Sequence, residues 1–459
     1  MSLWTSAEIA SATGGAASTE FTVSGVTFDS REVGPGDLFL ALKGETTDGH
    51  RFLDQAFAQG AGGAVVSMAV EHPHVLVDDT MAALNALGAA SRVRMQGKVI
   101  GVTGSVGKTG TKEALFAALD RMEPGAAHRS VKSYNNHTGV PLSLARMPRE
   151  ARFGVFEMGM NHAGELAELT RLVRPHVAMV TTIAPAHMGF FASEEAIADA
   201  KGEIFQGLEP GGTAVVPFDS PHRDRLIAAA RPHAAKVVTF GLGQGADYRA
   251  VESIRTRTGG TFVTARFGDR ELSFTIAQPG AHWVSNAMGI LAVVDAVGGD
   301  LEMAGLALAE MGGLPGRGAR FLTRVGEGEA LVIDESYNAN PASMRATLKV
   351  LAQEHARRLV VLGEMRELGE HSDGFHAELA EPIEAAGVSH AILVGEAMGA
   401  LANALEGRVD FVHVPDAATA RERLEAVLAP GDAVLVKGSN GVRLSTLVAA
   451  LAERQSCST

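Results

Sequence analysis

Residues 100–109, Ile-Gly-Val-Thr-Gly-Ser-Val-Gly-Lys-Thr, form the most informative stretch of the chain. An apolar run leads there into a glycine-rich turn that ends in Lys108 and Thr109. Glycines allow backbone N–H groups to approach phosphate oxygens, the lysine supplies a cation, and the threonine hydroxyl can bind magnesium. A helix predicted over 111–119 points its positive N-terminus at the same anion. The stretch therefore predicts a strand, a phosphate-binding loop and a helix.

The loop is a variant of the general phosphate-binding pattern. That pattern has a glycine six residues before the lysine, where this chain has Val102, while Gly101 comes one position too early. An ordinary glycine-rich turn between a strand and a helix is the alternative, but it does not account for the Lys-Thr pair. The residues that we expect to hold a nucleotide's phosphates are Thr103, Gly104, Ser105, Val106, Gly107, Lys108 and Thr109.

Length and composition predict a folded protein of several domains. The 459 residues are 46% hydrophobic and 20% charged, and at roughly 100–200 residues per domain they favour three domains. The net charge of −13 comes without a basic stripe, which argues against nucleic acid or an anionic membrane as the main partner. The single cysteine, Cys457, excludes an intramolecular disulfide and a cysteine-rich metal site. Without a signal-like N-terminus or an apolar run of about 20 residues, we expect a cytoplasmic protein with no membrane insertion.

Strand-like and helical stretches alternate along most of the chain. Short apolar runs over 21–77 predict a small α/β unit, and longer ones between 98 and 312 predict a mostly parallel sheet with ligands at the carboxyl ends of its strands. Residues 248–276 predict an antiparallel excursion. Glycines and a proline at 312–316 then precede a second alternating series that begins at 330–333. The domains that we predict cover residues 1–95, 96–313 and 314–459.

Three polar residues of the central region are candidates for chemistry. Glu157 follows the predicted strand 153–156, where a magnesium–ATP site belongs, although a solvated loop carboxylate is the alternative. His187 comes just beyond the next apolar strand and can face a ligand or a metal, although a loop histidine is more often a surface residue. Lys201 belongs to a helix predicted over 193–203, and the alternative there is strong, because a lysine among acidic residues usually lies on a solvated helix face.

Two polar, turn-rich loops are candidate ligand sites. Residues 134–141 read Tyr-Asn-Asn-His-Thr-Gly-Val-Pro, and they are either a plain loop or a ligand-binding one. Residues 334–341 read Asp-Glu-Ser-Tyr-Asn-Ala-Asn-Pro and follow the predicted strand 330–333. A cap for the helix that follows Pro341 is the alternative for the second loop, and it is compatible with a ligand role.

Taken together and in this order, these segments resemble the Mur ligase family over nearly the whole chain. Asp-Ser-Arg at 29–31, Gly-x-Gly-Asp-Leu-Phe at 34–39 and Asp-Gly-His at 48–50 resemble the family's domain for a uridine nucleotide. The loop 103–109 is similar to the family's ATP loop. Tyr-Asn-Ala-Asn-Pro at 337–341 resembles the branch that joins D-alanyl-D-alanine to UDP-N-acetylmuramoyl-tripeptide.

The resemblance implies an α/β fold of three domains. These are a small N-terminal α/β domain for the uridine nucleotide, a central P-loop-type ATPase domain with a mostly parallel sheet, and a C-terminal Rossmann-like domain. It also implies that ATP contacts Asn286, Arg317 and Asp334 beside the phosphate loop, while Arg320 lies close enough to Arg317 to compete for its role. The residues implied for the UDP-linked substrate and the dipeptide are Ser30, Arg31, Asn136, Thr138, Tyr337, Asn338, Asn340 and Lys437.

The reaction that the resemblance implies is ATP-dependent amide synthesis through an acyl phosphate, in peptidoglycan precursor synthesis. Lys108, Glu157, His187 and Lys201 are then the catalytic residues. Two magnesium ions would be bound by Thr109, Glu157, His187 and Lys201, the last as a carbamate. The alternatives are a ligase that adds a single amino acid, of the Mur or folylpolyglutamate synthetase type, and a nucleotide-gated binding protein. We expect a monomer in the bacterial cytoplasm.

Overall fold

The computed structural model describes residues 2–44, 47–185, 188–257 and 259–454. Its first part holds a two-stranded ribbon and a five-stranded sheet. The elements are β1 Trp4–Thr5, α1 Ser6–Thr13, β2 Ala16–Ala17, β3 Thr22–Val23, β4 Gly25–Thr27, β5 Asp37–Leu40, α2 Leu53–Ala58, β6 Gly63–Val66, β7 His74–Leu76 and α3 Thr80–Arg94. Strands β1 and β3 pair with each other, and the sheet has the order β2-β7-β6-β5-β4, parallel except at β2.

The middle of the chain forms a nine-stranded sheet between layers of helices. Its elements are β8 Lys98–Thr103, α4 Lys108–Met122, β9 Ala127–Arg129, α5 Gly139–Ala145, β10 Phe153–Glu157, α6 Glu165–Val173, β11 Val177–Val180, α7 Glu194–Gly202, β12 Thr213–Pro217, α8 Arg223–Ala230, β13 Lys236–Gly241, β14 Tyr248–Arg255, β15 Thr261–Phe267, β16 Arg270–Ile276, α9 Ala281–Ala296 and α10 Leu301–Glu310. The order is β16-β15-β14-β13-β12-β11-β8-β10-β9. All pairings among strands β8 to β14 are parallel, whereas β15 pairs antiparallel with both β14 and β16. The predicted parallel sheet and antiparallel excursion are therefore confirmed.

Both faces of the central sheet are buried, which explains the continuous apolar runs of its strands. Successive residues of a strand point to opposite faces. Along β8, Ile100 and Val102 pack with α4 and α9 in one core, while Val99 packs in a second core with α5 and α7. A strand buried on both sides leaves only its end for polar chemistry.

The last part of the chain forms a six-stranded sheet. Its elements are β17 Ala319–Val325, β18 Gly328–Glu335, α11 Pro341–Leu351, β19 Arg358–Gly363, α12 Ser372–Ala377, α13 Ala380–Ala385, β20 Val388–Val394, α14 Gly399–Leu405, β21 Phe411–Val414, α15 Ala417–Val427, β22 Ala433–Lys437 and α16 Leu444–Ala452. The order is β17-β18-β22-β19-β20-β21, parallel except for the hairpin of β17 and β18. The limits 1–95, 96–313 and 314–459 remain our proposal for the domains.

The arrangement brings polar strand ends of two sheets towards each other. Thr103 and Glu157 are the last residues of β8 and β10, and Glu335 and Lys437 are the last residues of β18 and β22. Parallel strands of an open α/β sheet bind ligands at this end. Among the described residues, no helix combines the length and the apolar character needed to cross a bilayer.

Candidate active site

A cavity of about 340 Å³ lies between the central sheet and the C-terminal sheet. The phosphate loop and the start of α4 form one wall, and the turn at Arg317 and the loop before α11 form another. Three cations line it, Lys108, Arg317 and Lys437, together with the carboxylates of Glu157 and Glu335. A cavity with several convergent cations suits a polyanion.

The phosphate loop is held in shape by the end of the neighbouring strand. Gly104 has φ +148°, and a Cβ there would collide with the Thr181 hydroxyl, which itself donates to the Val106 carbonyl at 2.6 Å. Gly107 has φ +90° and comes directly before α4. The predicted strand, loop and helix are confirmed, and the helix is longer than expected because it begins at Lys108 itself.

Lys108 folds back over its own loop. Its Nζ donates to the Gly104 carbonyl at 2.7 Å. Burial lowers the pKa of Lys108 and Arg317 lowers it further, while Glu157 opposes the shift. The Lys108 ammonium therefore lies at the phosphate loop, where it would stabilise the charge of a bound phosphate.

Glu157 is buried and fully engaged at the end of β10. Only 1% of the residue is exposed, so a solvated loop carboxylate is the wrong interpretation. Its Oε2 accepts from the Thr109 hydroxyl at 2.8 Å and its Oε1 from the Asn135 amide at 2.8 Å. A threonine hydroxyl next to a carboxylate is a set of hard oxygen donors, which fits magnesium.

Lys201 lies inside the protein and not on a solvated face. Helix α7 begins at the predicted place, where the Ser193 hydroxyl accepts from the Ala196 N–H at 3.3 Å. Lys201 is 1% exposed and shares its helix face with the fully buried Ile197, so the solvated-face interpretation is wrong. Burial lowers the pKa of Lys201 well below its usual value, and nearby Lys108 lowers it further.

Of the four residues predicted to bind metal, the structure describes Thr109, Glu157 and Lys201. Thr109 and Glu157 contact each other, whereas His187 lies outside the described residues. Over the ranges that the structure describes, no three His, Cys, Asp or Glu side chains cluster as a metal site would require. The roles of His187 and Lys201 towards a metal stay predictions.

Arg317 enters the cavity from the C-terminal part of the chain, and Arg320 does not. The Arg317 guanidinium donates to the Ser133 hydroxyl at 3.0 Å and stacks over Tyr337, 4.1 Å from the ring centre. Arg320 instead pairs with Glu354 at 3.0 Å, away from the cavity lining. The geometry therefore favours Arg317 as the nucleotide contact.

Asp334 shapes the turn that carries Arg317. Its carboxylate is buried and accepts from the Gly316 N–H at 2.6 Å and from the Ser336 hydroxyl at 2.6 Å. It is not part of the cavity lining. Its expected contact with ATP stays a prediction, and in this structure it positions the backbone next to Arg317.

The loop before α11 lines the cavity and also caps the helix. The Asn340 side chain accepts from the Ser343 N–H at 2.9 Å, so the helix-cap interpretation holds. Tyr337 and Asn338 line the cavity beside it. Lys437 Nζ donates to the Asn338 carbonyl at 2.9 Å, which ties this loop to the end of β22.

Lys437 faces a carboxylate that the sequence analysis did not select. Its Nζ lies 3.5 Å from Glu335 Oε2. Burial lowers the pKa of Lys437 and raises the pKa of Glu335, while each partner opposes the shift of the other. The signal for Glu335 was its place at a strand end, next to the selected Asp334.

Helix α9 closes the side of the cavity next to the phosphate loop. The Asn286 amide lies 3.0 Å from the position that a Cβ on Gly107 would take, and Trp283 lies 3.0 Å from the corresponding position on Gly110. Both side chains line the cavity. Trp283 was not predicted as a site residue, because an apolar helix face gives no separate sign of it.

Four of the eight residues implied for the UDP-linked substrate and the dipeptide lie outside this cavity, namely Ser30, Arg31, Asn136 and Thr138. The Ser30 hydroxyl donates to Gln55 Oε1 at 3.3 Å, and Arg31 is exposed and pairs with Asp29 at 2.6 Å, which lowers the pKa of Asp29 to about 2. The Asn136 side chain accepts from the Gly139 N–H at 2.9 Å and from the Thr138 hydroxyl at 3.2 Å. Their substrate contacts stay predictions.

Comparisons with known proteins agree with the geometry. Three family profiles match, described as "Mur ligase family, catalytic domain" at residues 22–95, "Mur ligase middle domain" at 102–294 and "Mur ligase, glutamate ligase domain" at 319–440. The UDP-N-acetylmuramoyl-tripeptide--D-alanyl-D-alanine ligase of Escherichia coli (strain K12) is 35% identical, over 95% of this chain and 96% of that protein. The ligase of the same name from Bacillus subtilis (strain 168) is 33% identical, over 94% of this chain and 93% of its own.

Solved structures match at the level of the fold and over the same length. MurF from Acinetobacter baumannii superposes with a TM-score of 0.84 at 33% identity, covering 98% of this chain and 99% of the other. MurF from Thermotoga maritima, solved in complex with ADP, gives 0.77 at 25% identity, covering 94% and 98%. The α/β fold of three domains is thereby confirmed. Because the similarity runs through all three parts of the sequence, the chain belongs to the Mur ligase family.

Proposed function

We propose that the protein joins D-alanyl-D-alanine to UDP-N-acetylmuramoyl-tripeptide at the expense of ATP, giving UDP-N-acetylmuramoyl-pentapeptide, ADP and phosphate. The observation that carries this function is a single cavity with Lys108 and the phosphate loop on one side and the Tyr337–Asn340 loop with Lys437 on the other. A nucleotide phosphate and a peptide can meet there. Relatives matched over more than nine-tenths of the chain carry this reaction in their names.

The chemistry needs activation because a carboxylate and an ammonium do not condense readily in water. The γ-phosphoryl group passes from ATP to the free carboxylate of the tripeptide and forms an acyl phosphate. The amine of the dipeptide then attacks the acyl carbon, loses a proton and expels phosphate. Lys108 and the N-terminus of α4 stabilise the negative charge of the phosphoryl group, and Arg317 approaches it from the C-terminal domain.

Thr109 and Glu157 are the residues that we propose to hold magnesium, because their oxygens already lie side by side in a buried position. Bound magnesium supplies neutralisation of the phosphoryl oxygens. We place His187 with these ligands on the resemblance alone. Lys201 is the residue that we propose to form a carbamate. Burial lowers its pKa and so favours the neutral amine, which is the form that adds carbon dioxide and releases a proton.

The remaining assignments rest on the family resemblance. Ser30, Arg31, Asn136 and Thr138 are proposed for the UDP-linked substrate, with Asn286 and Asp334 for the nucleotide. As the family resemblance implies, we place the enzyme in the bacterial cytoplasm, and we propose that it is a monomer.

The test is phosphate release by the purified protein with magnesium–ATP, UDP-N-acetylmuramoyl-tripeptide and D-alanyl-D-alanine, omitting each in turn and measuring the mass of the product. We expect release only with all components and a product heavier by one dipeptide less water. Release with a single amino acid in place of the dipeptide would assign the protein to a sister ligase. Release that is indifferent to both substrates would indicate a nucleotide-gated binding protein.

A further inference from the structure

Residues 130–135, Ser-Val-Lys-Ser-Tyr-Asn, contact all three parts of the chain, and we call them the bridge segment. The segment follows β9 and precedes α5. None of the motifs in the sequence pointed to its first four residues. Its contacts fall into three groups, towards α4, towards the N-terminal domain and towards the cavity.

The side chain of Lys112 holds the backbone of the bridge segment in place. It lies on α4, one turn beyond Lys108, and it is completely buried. Its ammonium donates to the Ser130 carbonyl at 2.8 Å and to the Lys132 carbonyl at 2.7 Å, and pairs with Glu113 at 2.9 Å. An ammonium has three donors, and these partners account for all of them. The phosphate-loop helix and the bridge segment therefore form one rigid unit.

The bridge segment reaches the N-terminal domain through one carboxylate. The Lys132 ammonium pairs with Glu32, and the Tyr134 hydroxyl donates to the same carboxylate at 3.4 Å. Lys132 has φ +52°, a conformation that lysine rarely adopts. The strained backbone turns its exposed side chain outwards to Glu32 while its carbonyl points inwards to Lys112. Glu32 directly follows Arg31, one of the residues proposed for the UDP-linked substrate.

The same segment supports the cavity. The Ser133 hydroxyl accepts from Arg317 at 3.0 Å and lies 3.5 Å from the Thr109 hydroxyl. Asn135 donates to Glu157 at 2.8 Å. Both the proposed magnesium ligands and the arginine from the C-terminal domain thus rest on side chains of the bridge segment.

We propose that the bridge segment couples binding of the UDP-linked substrate to binding of the adenine nucleotide, with Lys112 as the positioning residue that makes the segment rigid. Order imposed at Glu32 by the UDP-linked substrate is transmitted through Lys132 to Ser133 and Asn135, which place Thr109, Glu157 and Arg317 for the adenine nucleotide. Because such coupling is reciprocal, a bound nucleotide acts on Glu32 through the same contacts. This inference rests on the proposed function, because it assumes that the N-terminal domain holds the UDP-linked substrate.

The test compares the dissociation constant of magnesium–ADP, measured by calorimetry, without and with saturating UDP-N-acetylmuramoyl-tripeptide. In the unmodified protein we expect the substrate to tighten ADP binding by about fivefold or more. Lys132→Gln should bring this ratio close to one while leaving the ADP constant measured alone nearly unchanged. Arg149→Gln is the matched control, because Arg149 is a similarly exposed base that pairs with Glu8 of the N-terminal domain, away from the cavity. It should keep the full ratio.

A second variant tests the positioning role. Lys112→Met keeps the length of the side chain but leaves two carbonyls without their donor, and it should weaken ADP binding and abolish the coupling together. If Lys112→Met fails to fold, Lys132→Gln alone decides. An unchanged ratio in Lys132→Gln, or no coupling in the unmodified protein, would overturn the inference while substrate binding itself stays intact. If UDP-N-acetylmuramoyl-tripeptide binds to none of the proteins, the proposed function fails and the inference with it.

Discussion

Replacing Arg317 by alanine is the sharpest test of how the C-terminal domain takes part. The guanidinium makes one hydrogen bond to Ser133 and stacks over Tyr337 within the cavity. A hydrogen bond from a charged group contributes about 1.5–3 kcal/mol. At about 1.36 kcal/mol per factor of ten, losing one such bond to a nucleotide phosphate lowers kcat/KM for ATP by about ten- to a hundredfold. Arg317→Lys should recover only part of this loss, because an ammonium cannot reproduce the planar stacking.

The assay is initial-rate phosphate release with ATP varied and the other substrates saturating. Arg320→Ala is the control, since Arg320 stands three positions along but pairs with Glu354 outside the cavity lining. We expect this control to stay within about twofold of the unmodified enzyme, because neither Arg320 nor its partner Glu354 lines the cavity. Equal losses in the two variants, or a loss confined to Arg320→Ala, would refute the assignment of Arg317 to the nucleotide.

Three further predictions concern Lys201, Gly104 and His128. Lys201→Ala should lose most activity and regain part of it with added short carboxylic acids in rate assays; normal activity in that variant would remove the carbamate from the mechanism. Gly104→Ala should abolish ADP binding by calorimetry, since its Cβ collides with Thr181 and its φ of +148° suits glycine; retained affinity would contradict the geometry of the loop. Burial lowers the pKa of His128 to about 4, so on acidification the imidazole is protonated in the unfolded state before it is protonated in the folded state. The stability of the protein against urea should therefore fall as the pH drops from about 6.5 towards 4. His128→Gln, whose amide can replace the bond to the Ser143 carbonyl, should show a smaller fall, and an equal fall would assign the effect to other groups.

Sequence patterns predicted the strands that are buried on both faces and missed some strands at sheet edges, β9 and β17 among them. The run at β8 is apolar almost throughout because α-helices cover it on both sides. Strand β9 has only three half-buried residues, among them His128 and Arg129. Strand β17 begins with three half-buried residues in a row, and its one buried residue, Thr323, lies between two exposed ones. Such edges carry no run of apolar residues, and their pairing depends on a neighbour that the local sequence does not reveal.

The site residues that could be predicted lie at the end of a strand with a clear apolar run, as Glu157 and the phosphate loop do. Contacts between distant segments were not, since Ser133 and Arg317 are 184 positions apart. Lys201 shows an intermediate case. Its spacing of four from Ile197 indicates a shared helix face, and the full burial of Ile197 determines that this face is internal. The sequence shows that Ile197 and Lys201 share a helix face, but only the packing of the helix shows that this face is turned away from solvent.

The charges of the cavity indicate how a bound nucleotide would hold the central and C-terminal domains together. Lys108 comes from the central domain and Arg317 from the C-terminal domain. Burial is the main cause of the lowered pKa of Lys108, Glu157 opposes it, and Arg317 adds to it. Arg317 likewise lowers the pKa of Lys437. Lys108, Arg317 and Lys437 thus bring like charges close together, a cost that the carboxylates of Glu157 and Glu335 offset in part and that a bound anion would offset further. In the proposed reaction the phosphates of ATP supply that anion, so the bound nucleotide would stabilise this arrangement of the two domains. The same arrangement would exclude water from the acyl phosphate, whose hydrolysis would waste ATP.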